Sequence, residues 1–496
     1  MGRGSAAVIF LLATLLAGQG IAEANGVQNG QWSGKLAGSR AFPDTYTDVE
    51  GVLTFRGGGE RSRPSFGTVQ MRTYRPKIAW EKRTRSSSWG GGAGWTGQPA
   101  IVRWKPEVLR TMNVKAKFRT KPDFTEVIYA SLDGYVYFLE LETGEETRSP
   151  IKVGNPLKGS VSVDPRGYPL LYVGEGVPEN GTIGFNLYSL TDQKRLLRVN
   201  GIDSFAYRKW GAFDSSALFN RLDDTLTVGG ENGLFYRIQL NTAFDPKRAA
   251  LSIKPVIHKF RYKIAGNGYP GIENSVAAYG DLAYFADNGG SLVAMNVRTN
   301  EPAWALPPLD DTDATIVVEV EEGVPFLYTG TEVDKQGSKG FAYLRKINGL
   351  TGKVVWQAKY ECLSVVGDRP VNGGMLATPV VGKGEISDLV VFTLARYGTL
   401  GAGLMVALDK KTGKETWRLP MKRYAWSSPA DVYDASGRAY LIQADSAGVV
   451  SVVSAREGKV RGSLAIGANI EASPAVFNDY AVVASRGGKL YGIKLE

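Results

Sequence analysis

Alternating apolar and polar residues, interrupted by short turns, recur along the chain and predict a series of β-hairpins. The clearest is GAGLMVALDKKTGKETWRL (401–419), in which an Asp-x-x-Thr-Gly turn leads into a strand bearing Trp417. The pattern returns at 343–358, with Trp356, and at 290–306, with Trp304, whereas 133–150 keeps the turn without the tryptophan. Glycine or asparagine takes positive φ at the bend, and the outgoing strand then places an aromatic residue on a buried face.

A second repeating feature, a strand rich in small residues, lies upstream of each hairpin and provides an independent count. Its eight copies are GQPAIV (97–102), GSVSVD (159–164), DSSALF (214–219), ENSVAAY (273–279), DATIVVE (313–319), MLATPVV (375–381), WSSPADV (426–432) and EASPAVF (471–477). Small side chains suit an innermost strand, where sheets crowd around one axis. The chain is therefore predicted to be all-β, an eight-bladed β-propeller of four-stranded blades.

The end of the chain, ASRGGKLYGIKLE (484–496), stops one strand short of a complete blade. The segment RPKIAWEKRT, residues 75–84, has the pattern of an outermost strand and no blade of its own. We therefore expect this N-terminal strand to complete blade eight and close the ring. A seven-bladed propeller with an insertion is the alternative, and a β-sandwich with a second domain is another.

The first 24 residues indicate an export signal, with Arg3 before an apolar run at 6–17 and Ala22-Glu23-Ala24 as a cleavage site. Gln19 stands where a bacterial lipoprotein carries its lipid-bearing cysteine, so no lipid anchor is expected. No later stretch has the length of a transmembrane helix. We expect a signal peptide at 1–24, a linker at 25–51 and one propeller domain at 52–496, secreted or otherwise extracytoplasmic, in the periplasm or on the cell surface.

One cysteine and one histidine restrict the chemistry that the chain can perform. Cys362 cannot form an internal disulfide and is predicted to be a small buried strand residue. His258 lies in the weakly patterned stretch KPVIHKFRYK, for which we expect a surface loop. Any Ser-His-Asp triad would depend on that histidine, so no catalytic residue is predicted.

The hairpins DKKTGKETW and NGLTGKVVW, with the inner strands SSPADV and ASPAVF, resemble the repeats of the pyrroloquinoline-quinone-like (PQQ-like) propeller family. The segment LTFRGGGERSRPSFG (53–67) is similar to that family's opening segment. The resemblance implies either a scaffold, as in an outer-membrane assembly lipoprotein, or a quinone-dependent alcohol dehydrogenase. The dehydrogenases of the family have a vicinal cysteine pair and a Glu/Asn/Asp set for Ca²⁺. One cysteine cannot supply that pair, and no one-to-one match to the metal set is evident.

Carboxylate and tryptophan side chains recur where the inner strands begin, and these strand starts all open on one rim of a propeller. The candidate rim residues are Trp95, Trp210, Asp214, Glu273, Asp313, Trp426 and Glu471. Clustered carboxylates suit Ca²⁺, and an aromatic, acidic mouth suits a sugar, a peptide or a planar ligand. The alternative is structural, with carboxylates bonding their own backbone and tryptophans packing between blades. Whether a metal binds stays open.

Positive charge is concentrated in one segment, since residues 56–121 contain 16 Lys/Arg and 3 Asp/Glu. In a closed ring this segment spans neighbouring blades eight and one. The predicted basic patch comprises Arg72, Arg75, Lys77, Lys82, Arg83, Arg85, Lys115, Lys117, Arg119 and Lys121. Such a patch favours anionic partners, such as phospholipid headgroups, cell-wall polymers or acidic proteins. The alternative is solvated edge-strand charge that discourages aggregation.

Together these features predict an exported, non-catalytic, monomeric propeller that acts as a binding or scaffolding module. Its expected partner is a protein or an anionic component of the cell envelope, and nucleic acid is not expected. No cofactor is predicted. The alternative function is a PQQ- or Ca²⁺-dependent oxidoreductase with its site at the channel mouth.

Overall fold

The computed structural model describes residues 26–34, 36–92 and 97–496, and its fold is almost entirely β. In these residues eight antiparallel sheets are arranged as the blades of a propeller. The predicted eight-bladed fold is confirmed, and the seven-bladed alternative is wrong. The proposed signal peptide lies outside the described residues. None of the helices in the described part of the chain has the length or apolar character needed to cross a bilayer.

Four strands precede the first blade and are later distributed among the sheets: β1 (Val27–Trp32), β2 (Gly51–Val52), β3 (Ser65–Phe66) and β4 (Lys77–Arg83). Blade one contains β5 (Ala100–Arg103), α1 (Pro106–Leu109), α2 (Ala116–Arg119), β6 (Thr125–Ala130), β7 (Tyr135–Glu140) and β8 (Ile151–Lys152). Blade two contains β9 (Ser162–Val163), β10 (Leu170–Gly174), β11 (Gly184–Ser189) and β12 (Arg195–Asn200).

Blade three is built from β13 (Leu218–Asn220), β14 (Thr225–Gly229), β15 (Leu234–Gln239) and β18 (Val256–Ile264), with a separate hairpin of β16 (Ala243–Asp245) and β17 (Ala250–Ser252). Blade four contains β19 (Ala277–Tyr279), β20 (Leu282–Ala286), β21 (Leu292–Asn296) and β22 (Glu301–Leu306). Blade five contains β23 (Val317–Glu321), β24 (Val324–Gly330), β26 (Lys339–Asn348) and β27 (Val354–Leu363).

Blade six contains β25 (Glu332–Val333), β28 (Gly373–Gly374), β29 (Val380–Val381), a 3₁₀ turn (Gly384–Ile386), β30 (Leu389–Ala395), β31 (Gly403–Asp409) and β32 (Glu415–Met421). Blade seven contains β33 (Ala430–Tyr433), β34 (Ala439–Ala444), β35 (Val449–Ser454) and β36 (Lys459–Ala465). Blade eight contains β37 (Ala475–Phe477), β38 (Tyr480–Ser485), β39 (Lys489–Lys494) and the N-terminal β4.

The tryptophan and the turn glycine of the repeated hairpin form the contact between one blade and the next. Gly413 has φ of 69°, and a methyl group added to it would lie 2.7 Å from the indole of Trp356 in the preceding blade. The Trp356 Nε1 donates to the Lys410 carbonyl at 2.8 Å. The same packing joins Trp80 to Gly144, Trp304 to Gly352, and Trp417 to Gly458. The motif spacing thus serves packing between blades as well as the turn itself.

The ring closes as predicted, because β4 completes blade eight. This strand pairs antiparallel with β39, and Gly492 stands opposite Trp80. The Trp80 indole is 7% exposed and donates to the Leu141 carbonyl of blade one at 2.7 Å. Lys82 forms an ion pair with Glu146 of blade one at 2.8 Å. One N-terminal strand therefore joins the last blade to the first.

The small residues of the inner strands carry hydroxyl groups that link the blades around the axis. The Thr315 backbone N–H donates to Thr378 Oγ1 at 3.1 Å, and the Thr378 N–H donates to Ser428 Oγ at 2.9 Å. Equivalent bonds run from Gln98 to Ser160, Ser216 to Ser275, Ser275 to Thr315, and Ser428 to Ser473. The Ser473 N–H of blade eight donates to the Gly97 carbonyl at the start of blade one, at 2.9 Å. The bond between blades two and three is different, because there the Ser216 hydroxyl donates to the Ser160 carbonyl.

The described residues of the segment 25–51, for which we expected a linker, pack against the outside of the propeller. Strand β1 pairs antiparallel with β18 and adds a fifth strand to blade three. Phe42 is buried and bridges to Gly280 of blade four. Further along, the Asp48 N–H donates to the Pro165 carbonyl of blade two. This segment therefore crosses from blade three towards blade two before the first propeller strand begins.

The single cysteine and the single histidine both lie on strands. Cys362 lies on β27 and is fully buried, as predicted, and burial raises the pKa of its thiol to about 12. The surface loop expected for His258 is wrong, because the residue lies on β18 opposite Arg237 of β15. Its stretch looked weakly patterned because burial alternates only in the second half of β18, where Phe260, Tyr262 and Ile264 are buried.

Candidate functional site

One end of the central channel is closed by the segment 53–66, which lies across the ends of the inner strands. The Val163 N–H donates to the Leu53 carbonyl, and β3 pairs in parallel with β37. Arg61 is fully buried and donates to the carbonyls of Val276 and Ser216, both at 2.9 Å. Burial lowers the pKa of Arg61 to about 9. These bonds fix the guanidinium group inside the ring.

Little space remains between this closure and the opposite mouth. The cavity there has a volume of about 20 Å³, which holds roughly one water molecule. Phe55 lines it from the closing segment, and Asp214, Glu273 and Asp313 line it from the mouth. Within the described residues, this cavity therefore has no room for an organic ligand.

Three carboxylates from blades three and four converge at the mouth. Asp214 precedes β13, Glu231 lies in the turn between β14 and β15, and Glu273 precedes β19. One oxygen atom from each lies within 4.8 Å of the others. All three residues are buried, with exposures of 1%, 4% and 9%. Such a cluster requires protons or a cation, because isolated charge is costly to bury.

A lysine from blade two provides positive charge within this cluster. The Lys158 ammonium group forms an ion pair with Asp214 and lies 3.7 Å from Glu273 Oε1. Burial alone would lower the pKa of Lys158, but the charges of Asp214, Glu273 and Glu231 outweigh it and raise that pKa above its ordinary value. The lysine is therefore held in its charged form, as a counter-cation rather than a nucleophile.

More carboxylates extend the cluster towards blades five and six. The Asn288 side-chain amide donates to Glu273 Oε2 at 3.0 Å and to Asp313 Oδ1 at 3.2 Å. Burial raises the pKa of Glu273 to about 8, with a further contribution from the charge of Asp313. Burial and neighbouring carboxylates also raise the pKa values of Asp311, Asp313 and Glu332 well above their usual range. Part of the cluster therefore retains protons at neutral pH.

Aromatic residues surround one side of the mouth. Trp210 is 39% exposed, and its Nε1 donates to Glu231 Oε2 at 2.8 Å. Tyr207 and Tyr269 are also exposed on neighbouring loops. The Lys335 ammonium group lies 5.9 Å from the centre of the Tyr269 ring. This side of the mouth thus combines exposed rings with buried carboxylates.

The seven predicted rim residues do not form one group. Asp214, Glu273 and Asp313 share the cavity, and Trp210 contacts their neighbour Glu231. Trp426 packs beside Tyr424, with ring centres 5.9 Å apart, and Glu471 accepts from Asn469 in blade eight. Trp95 lies outside the described residues.

Sequence reasoning missed Glu231, Asn288, Glu332 and Lys158. Two of these had a detectable signal, since Glu231 precedes an Asn-Gly turn and Asn288 lies in the corresponding Asn-Gly-Gly turn of the next blade. The middle turn of a blade opens on the same rim as the start of its inner strand. Lys158 offered no such signal, because it comes from a loop of blade two.

The predicted basic patch is spread along the outer edges of blades eight and one, and part of its charge is neutralised. Four of its members pair with carboxylates: Lys77 with Glu496, Lys82 with Glu146, Lys117 with Glu145, and Lys121 with Glu140 and Glu142. Among the described residues, no carboxylate lies within ion-pair distance of Arg72, Arg75, Arg83, Arg85, Lys115 or Arg119.

A groove of about 890 Å³ runs along the helical insertion of blade one. Five cationic side chains and three carboxylates line it: Arg103, Lys105, Arg110, Arg119 and Lys121, with Asp48, Glu50 and Asp123. The insertion is firmly packed, because its residues Val108, Leu109 and Phe118 belong to the core of blades one and two. Lys105 and Arg110 are exposed, with no ion-pair partner among the described residues. The groove is therefore a rigid, net positive concavity.

Comparison with known proteins supports the repeat family. Residues 265–438 match a family model described as outer membrane protein assembly factor BamB. The crystal structure of BamB from Moraxella catarrhalis is 15% identical, with a TM-score of 0.51 over 79% of this chain and 98% of that chain. The quinohemoprotein alcohol dehydrogenase ADHIIG from Pseudomonas putida HK5 is 13% identical, with a TM-score of 0.58 over 90% of this chain and 80% of that chain. Sequence comparison with curated proteins finds no match.

These similarities show a fold shared by proteins of different activity. The chain is an eight-bladed propeller, and its match to the repeat model covers residues 265–438, which include the hairpins at 290–306, 343–358 and 401–419. At these identities the solved structures establish architecture and no activity.

The residues at the mouth do not fit a quinone of the PQQ type. The cavity that the described residues leave inside the channel is about 20 Å³, too small for the fused tricyclic ring system of the cofactor. The cofactor carries three carboxylates, which the carboxylates of Asp214, Glu231 and Glu273 would repel. The Lys158 ammonium group does not offset this repulsion, because it is already paired with Asp214. The one cysteine, Cys362, is buried on the long hairpin of blade five, so the chain cannot form the vicinal cysteine pair of the quinone-dependent dehydrogenases.

Proposed function

We propose that this protein is a non-catalytic binding module of the cell envelope that holds an acidic segment of a partner protein. The binding site is the groove along the helical insertion of blade one. The observation that carries this proposal is the presence of Lys105 and Arg110, two exposed cations without carboxylate partners, on a rigid concave wall.

The shape of the groove favours a protein segment over a lipid surface. A bilayer is locally flat, and its headgroups would reach the rim of a concavity rather than its floor. An extended chain can enter the groove and place carboxylates beside Lys105 and Arg110. Direct contacts of this kind, rather than a diffuse charge, give specificity to a partner.

An envelope location agrees with two observations. The N-terminal 24 residues have the pattern of an export signal. The matching family description names an outer membrane assembly factor. A protein partner also agrees with the small volume, about 20 Å³, of the channel cavity that the described residues line.

The test measures binding of a fluorescent poly-glutamate peptide and of phosphatidylglycerol vesicles to the wild type and to Lys105→Glu/Arg110→Glu. Two exposed ion pairs, each of up to about 1 kcal/mol, predict a loss of peptide affinity of up to about thirtyfold at low salt. Lys411→Glu/Lys414→Glu is the matched control, because it changes the same charge on the exposed hairpin of blade six. The proposal fails if both variants weaken binding equally or if only vesicles bind.

The oxidoreductase alternative has a separate test. Addition of PQQ and Ca²⁺ to the purified protein should produce no bound-cofactor absorbance and no dye-linked alcohol oxidation. A stoichiometric quinone spectrum with alcohol-dependent dye reduction would replace the binding-module proposal with the enzyme.

A further inference from the structure

The acidic cluster at the mouth has the ligand chemistry of a divalent-cation site, but a lysine occupies it. Asp214, Glu231 and Glu273 bring one oxygen each within 4.8 Å of the others, and carboxylates are the ligands that Ca²⁺ prefers. Glu231 Oε1 is buried and has no hydrogen-bond donor among the described residues. The cluster lies apart from the blade-one groove, so the inference does not depend on the proposed function.

The lysine is built into this position by the residues around it. Its ammonium group contacts Asp214 and Glu273, while its side chain is only 18% exposed. Gly176 makes room for it, since a methyl group there would lie 2.7 Å from Lys158 Cδ and 2.8 Å from Asp214 Oδ1. Any larger residue at 176 would displace the lysine stem or the carboxylate.

We propose that Lys158 is a resident counter-cation that takes the place of a divalent metal at the channel mouth. The native protein therefore needs no Ca²⁺ for this site. Removal of the ammonium group leaves three buried carboxylates whose charge must be balanced from solution. The variant Lys158→Met keeps the aliphatic stem, loses the charge and becomes a Ca²⁺ site.

The test uses Tb³⁺, a luminescent substitute for Ca²⁺ that accepts energy from a nearby indole. Trp210 is hydrogen-bonded to Glu231, so it stands next to a ligand of the created site. Lys158→Met is expected to give saturable Tb³⁺ luminescence, competed by Ca²⁺, with a Kd in the range of about 10⁻⁵ to 10⁻³ M typical of weaker protein calcium sites. The wild type and the control Lys194→Met, whose lysine lies in an exposed pair with Asp192, should give none.

Thermal unfolding provides the second measurement. Lys158→Met should melt at a lower temperature in EDTA and recover in Ca²⁺, because a ligand of the folded state stabilises it. Lys158→Met/Asp214→Asn removes one charge of each sign and should fold in EDTA without the Ca²⁺ response. The wild type should be indifferent to EDTA.

Three results would overturn the proposal. The first is wild-type Tb³⁺ binding as tight as that of Lys158→Met, since the ammonium group would not then hold the site. The second is a Lys158→Met protein that is stable in EDTA and binds no cation, which would mean that protons balance the cluster. The third is failure of Lys158→Met to fold even in Ca²⁺ while the double variant folds.

Discussion

Replacement of Trp80 by alanine tests whether the N-terminal strand holds the ring closed. The indole is 7% exposed and packs on Gly144 of blade one, and its Nε1 donates to the Leu141 carbonyl. Truncation of a buried tryptophan costs about 3–5 kcal/mol, and the lost hydrogen bond about 1 kcal/mol more. We therefore expect Trp80→Ala to lower the free energy of unfolding by roughly 4–6 kcal/mol.

The assay is equilibrium unfolding in urea, followed by far-ultraviolet circular dichroism and by fluorescence. Trp89→Ala is the matched control, because Trp89 lies only nine positions away along the chain and is 46% exposed. A surface substitution of this kind should change stability by less than about 0.5 kcal/mol. Closure through β4 would be refuted if the two variants unfolded at the same urea concentration, or if deletion of 75–84 left the transition unchanged.

Three further predictions concern the hairpins, the mouth and the buried thiol. Gly413→Ala should cost at least about 1 kcal/mol more than Gly437→Ala in urea unfolding, because both have positive φ but only Gly413 faces an indole, that of Trp356; equal costs would reduce the motif glycine to a turn residue. Glu273, whose pKa is raised to about 8, keeps a proton in the folded state after the unfolded chain has released it. Stability should therefore fall as pH rises from about 5 to 8, by up to about 1.4 kcal/mol per pH unit per retained proton, and Glu273→Gln should flatten that profile; a rise in stability over this range would contradict the assignment. Cys362 should react with a disulfide reagent only after denaturation, since it is buried and burial raises the pKa of its thiol to about 12; rapid labelling of the native protein would show that blade five opens.

Local patterns were sufficient to predict the blades, their number and the closing strand. A hairpin with a glycine bend and a tryptophan depends on residues within about twenty positions of one another. The contact between neighbouring blades joins that tryptophan to the turn glycine of the next blade, and both residues recur with the motif. The small inner-strand residues at Thr378 and Ser428 could be predicted as well, although their hydroxyl bonds to the next blade could not.

The channel mouth was only partly visible in the sequence. Asp214, Glu273 and Asp313 stood out because each begins an inner strand, and such starts share a rim. Glu231 was missed although its Asn-Gly turn opens on the same rim, and Lys158 was missed because its position depends on the conformation of a blade-two loop. The ion pairs of the basic segment could not be predicted, since charge counting does not show that several of its cations face carboxylates of blade one, as Lys82 faces Glu146.

The amino-acid order therefore specifies the repeating unit, because turn chemistry and alternating burial are properties of neighbouring residues. The closed ring alone decides what meets at its centre. There, residues from blades two, three and four, far apart along the chain, place a lysine among three buried carboxylates. Their mutual electrostatics exist only once the blades have been brought around a common axis.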